Sequence, residues 1–197
     1  MARLYKSFLL FSLILLAACT EPEHPDPLHA VDVSWQHPHA DFRLFDTSGQ
    51  PRSLADYRGK AVVLFFGYTH CPEVCPTTLA DLAQVMRLLG DDARKVQVLF
   101  ITLDPERDTP EVLSKFIPSF DPSFIGLHGD TQATAQAAKA FGVNYEKHND
   151  KHGGYTLDHS DGTYLIGPNG QPVWLSRYGQ AAGLLVQDIQ RLIAPHR

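Results

Sequence analysis

Two apolar runs, residues 62–66 without a break and residues 96–103 with only Gln97 and Thr102 polar, stand about thirty positions apart with a helix-like pattern between them. Runs of this length with no polar alternation mark strands buried on both faces. Between them Leu79, Leu82, Met86 and Leu89 recur at steps of three and four, which predicts one apolar helix face over residues 76–89. Gly90 closes the helix, and Pro76 suits its first turn, where a missing N–H costs nothing. Strand, helix and strand at this spacing form a βαβ unit, so the two strands should be parallel with a right-handed crossover.

The rest of the chain extends that unit. Residues 42–44 read as a strand entering a polar turn at 46–50, and residues 124–127 as a third parallel strand. A short helix is predicted over 111–116, capped by Asp108 or Thr109, and an alanine-rich one over 131–141, ended by Gly142. Residues 155–159 and 163–166 flank Ser160, Asp161 and Gly162, which predicts a hairpin between them. A second turn at 168–170 leads into residues 173–175, and Leu185, Ile189 and Leu192 mark a closing helix. The expectation is a single α/β domain over residues 40–197, with a mixed sheet and flanking helices.

The N-terminus is a separate matter. Arg3 and Lys6 precede an apolar run at 8–16, and Ala17, Ala18 and Cys19 follow it. This describes a secretory signal peptide over residues 1–18, too short for a comfortable membrane span. Leu16, Ala17, Ala18 and Cys19 also resemble a bacterial lipobox, which implies lipidation at Cys19 and a membrane anchor outside the cytoplasm. Residues 19–39, rich in proline, histidine and acid, read as a tether. With a formal charge of −5 and no basic patch, the chain gives no reason to expect a nucleic-acid partner.

Of three cysteines, processing would leave Cys71 and Cys75, set in the turn between the first buried strand and its helix. In an oxidising compartment such a pair has three uses: a structural disulfide, a redox-active dithiol, or two ligands of a metal. A disulfide closing so small a loop returns little chain entropy. Helix N–H groups at this turn favour thiolate, the form that attacks disulfides and binds soft ions such as Cu(I). A metal needs a third ligand. His70 is adjacent to Cys71 but free to point to the other side, and His128, His148 and His152 lie in polar segments, whereas His159 ends a predicted strand at a turn.

Residues 66–78, with Cys71 and Cys75, closely resemble the signature of the Sco/SenC family of copper chaperones. Asp104, Pro105, Glu106, Arg107, Asp108, Thr109 and Pro110 resemble its second motif, and residues 155–160 its third. The resemblance runs from about residue 41 to 193 and implies a thioredoxin-like fold. It implies Cys71, Cys75 and His159 as ligands of Cu(I) and Cu(II). It also implies a role in assembling the dinuclear copper centre of cytochrome c oxidase, by delivering copper, reducing the target's cysteines, or both. The implied partners are the copper-bearing subunit of that oxidase and a second copper chaperone or thioredoxin-like reductant. The implied location is the periplasm, with the lipid anchor in the inner membrane favoured over the outer.

The loops that leave neighbouring parallel strands emerge at one edge of a sheet. Asp104, Arg107 and Asp108 are therefore expected around the site, as outer-shell or partner-contact groups, with Arg107 offsetting the negative charge of two thiolates. The rival reading is a copper-independent thiol–disulfide oxidoreductase or redox sensor, with Cys71 and Cys75 as its redox pair. Three residues between the cysteines, where thioredoxin-type enzymes have two, and a histidine in the facing segment favour ligation.

Overall fold

The structure is a computed structural model and describes residues 28–38, 40–149 and 153–194. The signal peptide at 1–18, the lipidation site Cys19, the first part of the tether, His39 and His152 lie outside the described residues.

The expected βαβ unit is the centre of the molecule. Strand β4 (Ala61–Gly67) is buried at every position, and β5 (Val96–Thr102) at all but one. They pair in parallel from Ala61 opposite Val96 to Gly67 opposite Thr102. Helix α1 (Val74–Leu89) connects them and buries Leu79, Leu82, Met86 and Leu89 as its periodicity requires. It starts two residues before the predicted position, so Cys75 lies in its first turn.

Six further strands complete an eight-stranded mixed sheet. Strand β6 (Ile125–His128) adds in parallel to β5. On that side β2 (Leu44–Asp46), two residues later than the predicted strand, forms a hairpin with β3 (Pro51–Arg52), a strand the sequence reading did not include. On the other side of β4 lie β9 (Thr163–Ile166) and β10 (Pro172–Ser176), both antiparallel to their neighbours, with β1 (Val31–Asp32) at the edge. Three further α-helices follow in the chain, α2 (Pro110–Phe116), α3 (Thr131–Ala140) and α4 (Ala182–Ile193). Thr109, not Asp108, caps α2 by accepting the Val112 N–H, and Asp130 caps α3.

One predicted pairing is wrong. Residues 155–159 do form a strand, β8 (Tyr155–His159), but it does not pair with β9. It pairs with β7 (Tyr145–Asn149) in a separate two-stranded sheet, with Tyr145 opposite His159 and Asn149 opposite Tyr155. A tight two-residue hairpin turn needs positive φ at its first central position, and at both in type I′. Of Ser160, Asp161 and Gly162, Gly162 alone has it. Strand β9 is also buried at all four positions, so it takes a central place between β4 and β10, whereas β8 buries Leu157 alone. The hairpin of this region is β9–β10, turning at the predicted residues 168–170. Strand β7 had no sequence signal, because four of its five residues are exposed and it carries no apolar period.

Of the described residues in the predicted tether, Ala30 and Val33 are buried and β1 joins the sheet. Among the described residues no helix is long and apolar enough to cross a membrane.

Candidate metal centre

The site grows from the C-terminal ends of β4 and β5, the edge where loops of parallel strands converge. Gly67 ends β4 and Tyr68, Thr69 and His70 carry the chain to Cys71. The Cys71 sulfur accepts the backbone N–H of Cys75 at 3.4 Å, in the first turn of α1. A spare helix N–H is thus spent on a sulfur. Both cysteines are free thiols; Cys71 is partly exposed and Cys75 wholly buried. Burial pushes the Cys75 thiol well up from its ordinary value, and neighbouring Cys71 adds to the rise. The expectation that the helix N-terminus favours thiolate therefore fails at Cys75, where desolvation outweighs the N–H groups.

His159 comes to this pair from the far end of β8. Its Nε2 lies 3.7 Å from the Cys75 sulfur, across 84 positions of sequence. Its Nδ1 lies 2.9 Å from the Ser160 carbonyl oxygen, which can only accept, so Nδ1 carries the hydrogen. In the neutral ring Nε2 is then bare and faces sulfur, the tautomer that a metal-binding histidine needs. The ring stands edge-on to Phe65 and Tyr68. The donor chemistry, two sulfurs and an oriented imidazole, fits a soft ion such as Cu(I). Contact runs by pairs, Cys71 to Cys75 and Cys75 to His159. Among the described residues no three histidine, cysteine or acidic side chains already stand grouped as a metal site. An open cavity of about 480 Å³, lined by Tyr68, Cys71, Asp158 and His159 among others, gives access.

Four other described histidines have partners of their own. His29 meets Gln187, His70 meets Thr69, His128 stacks near Phe45, and His148 pairs with Asp158.

Asp104, Arg107 and Asp108 surround the site without touching its sulfurs in any recorded bond. Asp108 is buried and accepts the Thr69 N–H at 2.9 Å, the Thr69 hydroxyl at 2.5 Å and the Thr102 hydroxyl at 2.6 Å. Asp104 takes the Arg107 Nε and, at 2.6 Å, the Tyr155 hydroxyl. Desolvation and that carboxylate push the Tyr155 hydroxyl up from its ordinary value. Arg107 donates from Nη1 to the Tyr155 carbonyl at 2.9 Å and lies 3.5 Å from the centroid of the Tyr155 ring. Its charge faces Asp104 first, not the cysteines, so it is already offset within its own cluster. The sequence analysis missed Tyr68, Thr69, Thr102 and Tyr155 as supporting residues. A threonine or tyrosine in a strand, as Thr102 and Tyr155 are, or in the loop after one, as Tyr68 and Thr69 are, carries no signal of the bond it will make.

The model of the SCO1/SenC family matches residues 34–194. The mitochondrial SCO2 homologue of Mus musculus is 41% identical over 159 residues, 78% of this chain and 62% of its own length. The human homologue is 38% identical over 162 residues, 80% of this chain and 60% of its own. The chain thus matches about three fifths of these relatives. Among solved structures, Bradyrhizobium japonicum ScoI with copper bound has a TM-score of 0.72 at 38% identity, covering 77% of this chain and 97% of that one. Yeast Sco1 with copper bound has a TM-score of 0.72 at 30% identity, covering 80% and 88%. With a family match that covers seven of the eight strands of the main sheet and both halves of the candidate site, the chain belongs to the SCO1/SenC family, whose thioredoxin-like fold it shares.

Proposed function

We propose that this protein binds copper through Cys71, Cys75 and His159 and assembles the dinuclear copper centre of cytochrome c oxidase. The observation that carries the reading is His159, whose bare Nε2 is aimed at the Cys75 sulfur from a strand outside the main sheet. Copper has only to draw Cys71 onto an existing pair. Relatives solved with copper bound support the choice of metal. Two thiolates suit Cu(I), and the imidazole makes room for Cu(II) as well. The partner is the copper-bearing subunit of the oxidase, with a second copper chaperone or a thioredoxin-like protein supplying metal or electrons. The chain acts from the periplasmic face of a membrane, anchored by lipid at Cys19.

A second reading rests on the thiols themselves. Cys71 is partly exposed and adjacent to buried Cys75, the arrangement of an attacking and a resolving thiol. Attack by Cys71 on a target disulfide releases one target thiol, and Cys75 then displaces the other. The pair here becomes a disulfide and the target's two cysteines are reduced, ready for copper. This step serves the same assembly, or stands alone in a copper-independent oxidoreductase.

Titration of the reduced full-length protein with Cu(I) and Cu(II), beside Cys71→Ser, Cys75→Ser and His159→Ala, tests the proposal. One copper per wild-type chain, and loss of affinity by a factor of about 10–100 or more in each variant, is expected. Wild type without copper, or three variants binding as wild type does, would sink it. Disulfide turnover by a protein that binds no copper would establish the oxidoreductase.

A further inference from the structure

Residues 104–108 supply no donor atom to the candidate centre, yet they touch both of its halves. On one side Asp108 holds Thr69, two residues before Cys71, through its backbone N–H and its hydroxyl. On the other, Asp104 and Arg107 hold Tyr155, four residues before His159 on β8. Between these grips the segment is fixed to β5: Thr102 donates to Asp108, and its hydroxyl oxygen accepts the Asp104 N–H at 2.9 Å. Asp104 and Asp108 are both buried.

The strand so held has little else to hold it. Strand β8 pairs only with β7, outside the eight-stranded sheet, and buries only Leu157. The second tie comes from the same segment: Lys147 on β7 reaches Glu106 at 3.0 Å and lies over the Tyr155 ring. Leu157, the buried residue of β8, lines the cavity of the candidate centre together with Tyr68 of the cysteine loop. Arg107 Nη2 is buried with no acceptor, a cost that a position selected for stability alone would shed. A lysine could keep the Asp104 contact but not also the Tyr155 carbonyl and the stacked ring.

We propose that residues 104–108 act as a spacer that sets the distance between His159 and the two cysteines, with Arg107 and Tyr155 as positioning residues. The spacer deepens the copper reading and rests on it for its consequence, but the mechanical link holds for the metal-free protein. Loosening the grip on Tyr155 lets His159 drift from Cys75 while every ligand stays in place. Copper retention is thereby tuned by a segment that never binds it.

The test compares wild type with Arg107→Gln, Arg107→Lys and Tyr155→Phe, as reduced full-length protein. Amide hydrogen exchange is read at Leu157 without metal, then Cu(I) affinity by competition and the absorption spectrum of the Cu(II) form. In Arg107→Gln the Leu157 amide should exchange about tenfold faster, as loss of a charged hydrogen bond implies, with α1 amides unchanged. Copper should bind about 10-fold or more weakly, with a shifted spectrum. Arg107→Lys and Tyr155→Phe, which each keep part of the grip, should fall between. Unchanged exchange at Leu157, or faster exchange spread through the whole chain, would overturn the spacer, as would copper affinity and spectrum like wild type despite local loosening. Failure of wild type to bind copper would instead remove the proposed function and leave the exchange result to judge the link.

Discussion

Gly67 shows how narrow the tolerances are at the sulfur. A Cβ at this position would stand 2.9 Å from the Cys75 sulfur and 3.0 Å from the rings of Phe65 and Phe100. Its φ is not positive, so the glycine is required by close approach, not by backbone conformation. None of the three neighbours can yield easily, since two are packed core rings and the third faces His159. Gly67→Ala should destabilise the fold by about 1–3 kcal/mol in urea denaturation, the usual cost of overpacking. It should also weaken copper binding, because the displaced atom is a proposed donor. Sequence could mark Cys71, Cys75 and His159, since few residue types bind soft metals. It could not mark Gly67, for a glycine after a buried strand is indistinguishable from an ordinary turn residue until Cys75 is seen against it.

At the scale of elements, what was legible followed from local period. The helix α1 and the strands β4, β5 and β6 all appear within about two residues of their predicted positions, because each buries a face or a whole segment. The pairing of β8 was illegible for the opposite reason. Its partner β7 is polar, and the choice between β7 and β9 depends on which strand the core demands, a tertiary fact. Asp108 is a similar case. Its place before Thr109 and Pro110 suggested a helix cap, but Thr109 takes that role and Asp108 joins the cysteine loop to β5. Asp108→Ala strands three donors that now share one buried carboxylate, and should cost about 1.5–3 kcal/mol of stability. Thermal or urea unfolding checks it. A loss near zero would mean that the loop finds other partners.

For the whole molecule, the separation of scaffold and site is the main result. The eight-stranded sheet and its helices present the cysteine turn, while the two-stranded arm presents the histidine. Near the start of the described residues, buried Asp188 on α4 accepts the N–H groups of His29 and Ala30, at 3.1 and 2.9 Å, and β1 pairs at the sheet edge. A candidate site drawn from two separate sheets, tied together by residues 104–108, explains why no span of sequence displays it whole. It also makes the account easy to contradict. X-ray absorption at the copper edge of the Cu(I)-loaded full-length protein counts the donors directly. The account predicts two sulfurs and one nitrogen around the metal, with the nitrogen lost in His159→Ala. A copper ion surrounded by nitrogen and oxygen alone, or a wild-type spectrum unchanged by loss of His159, would contradict it.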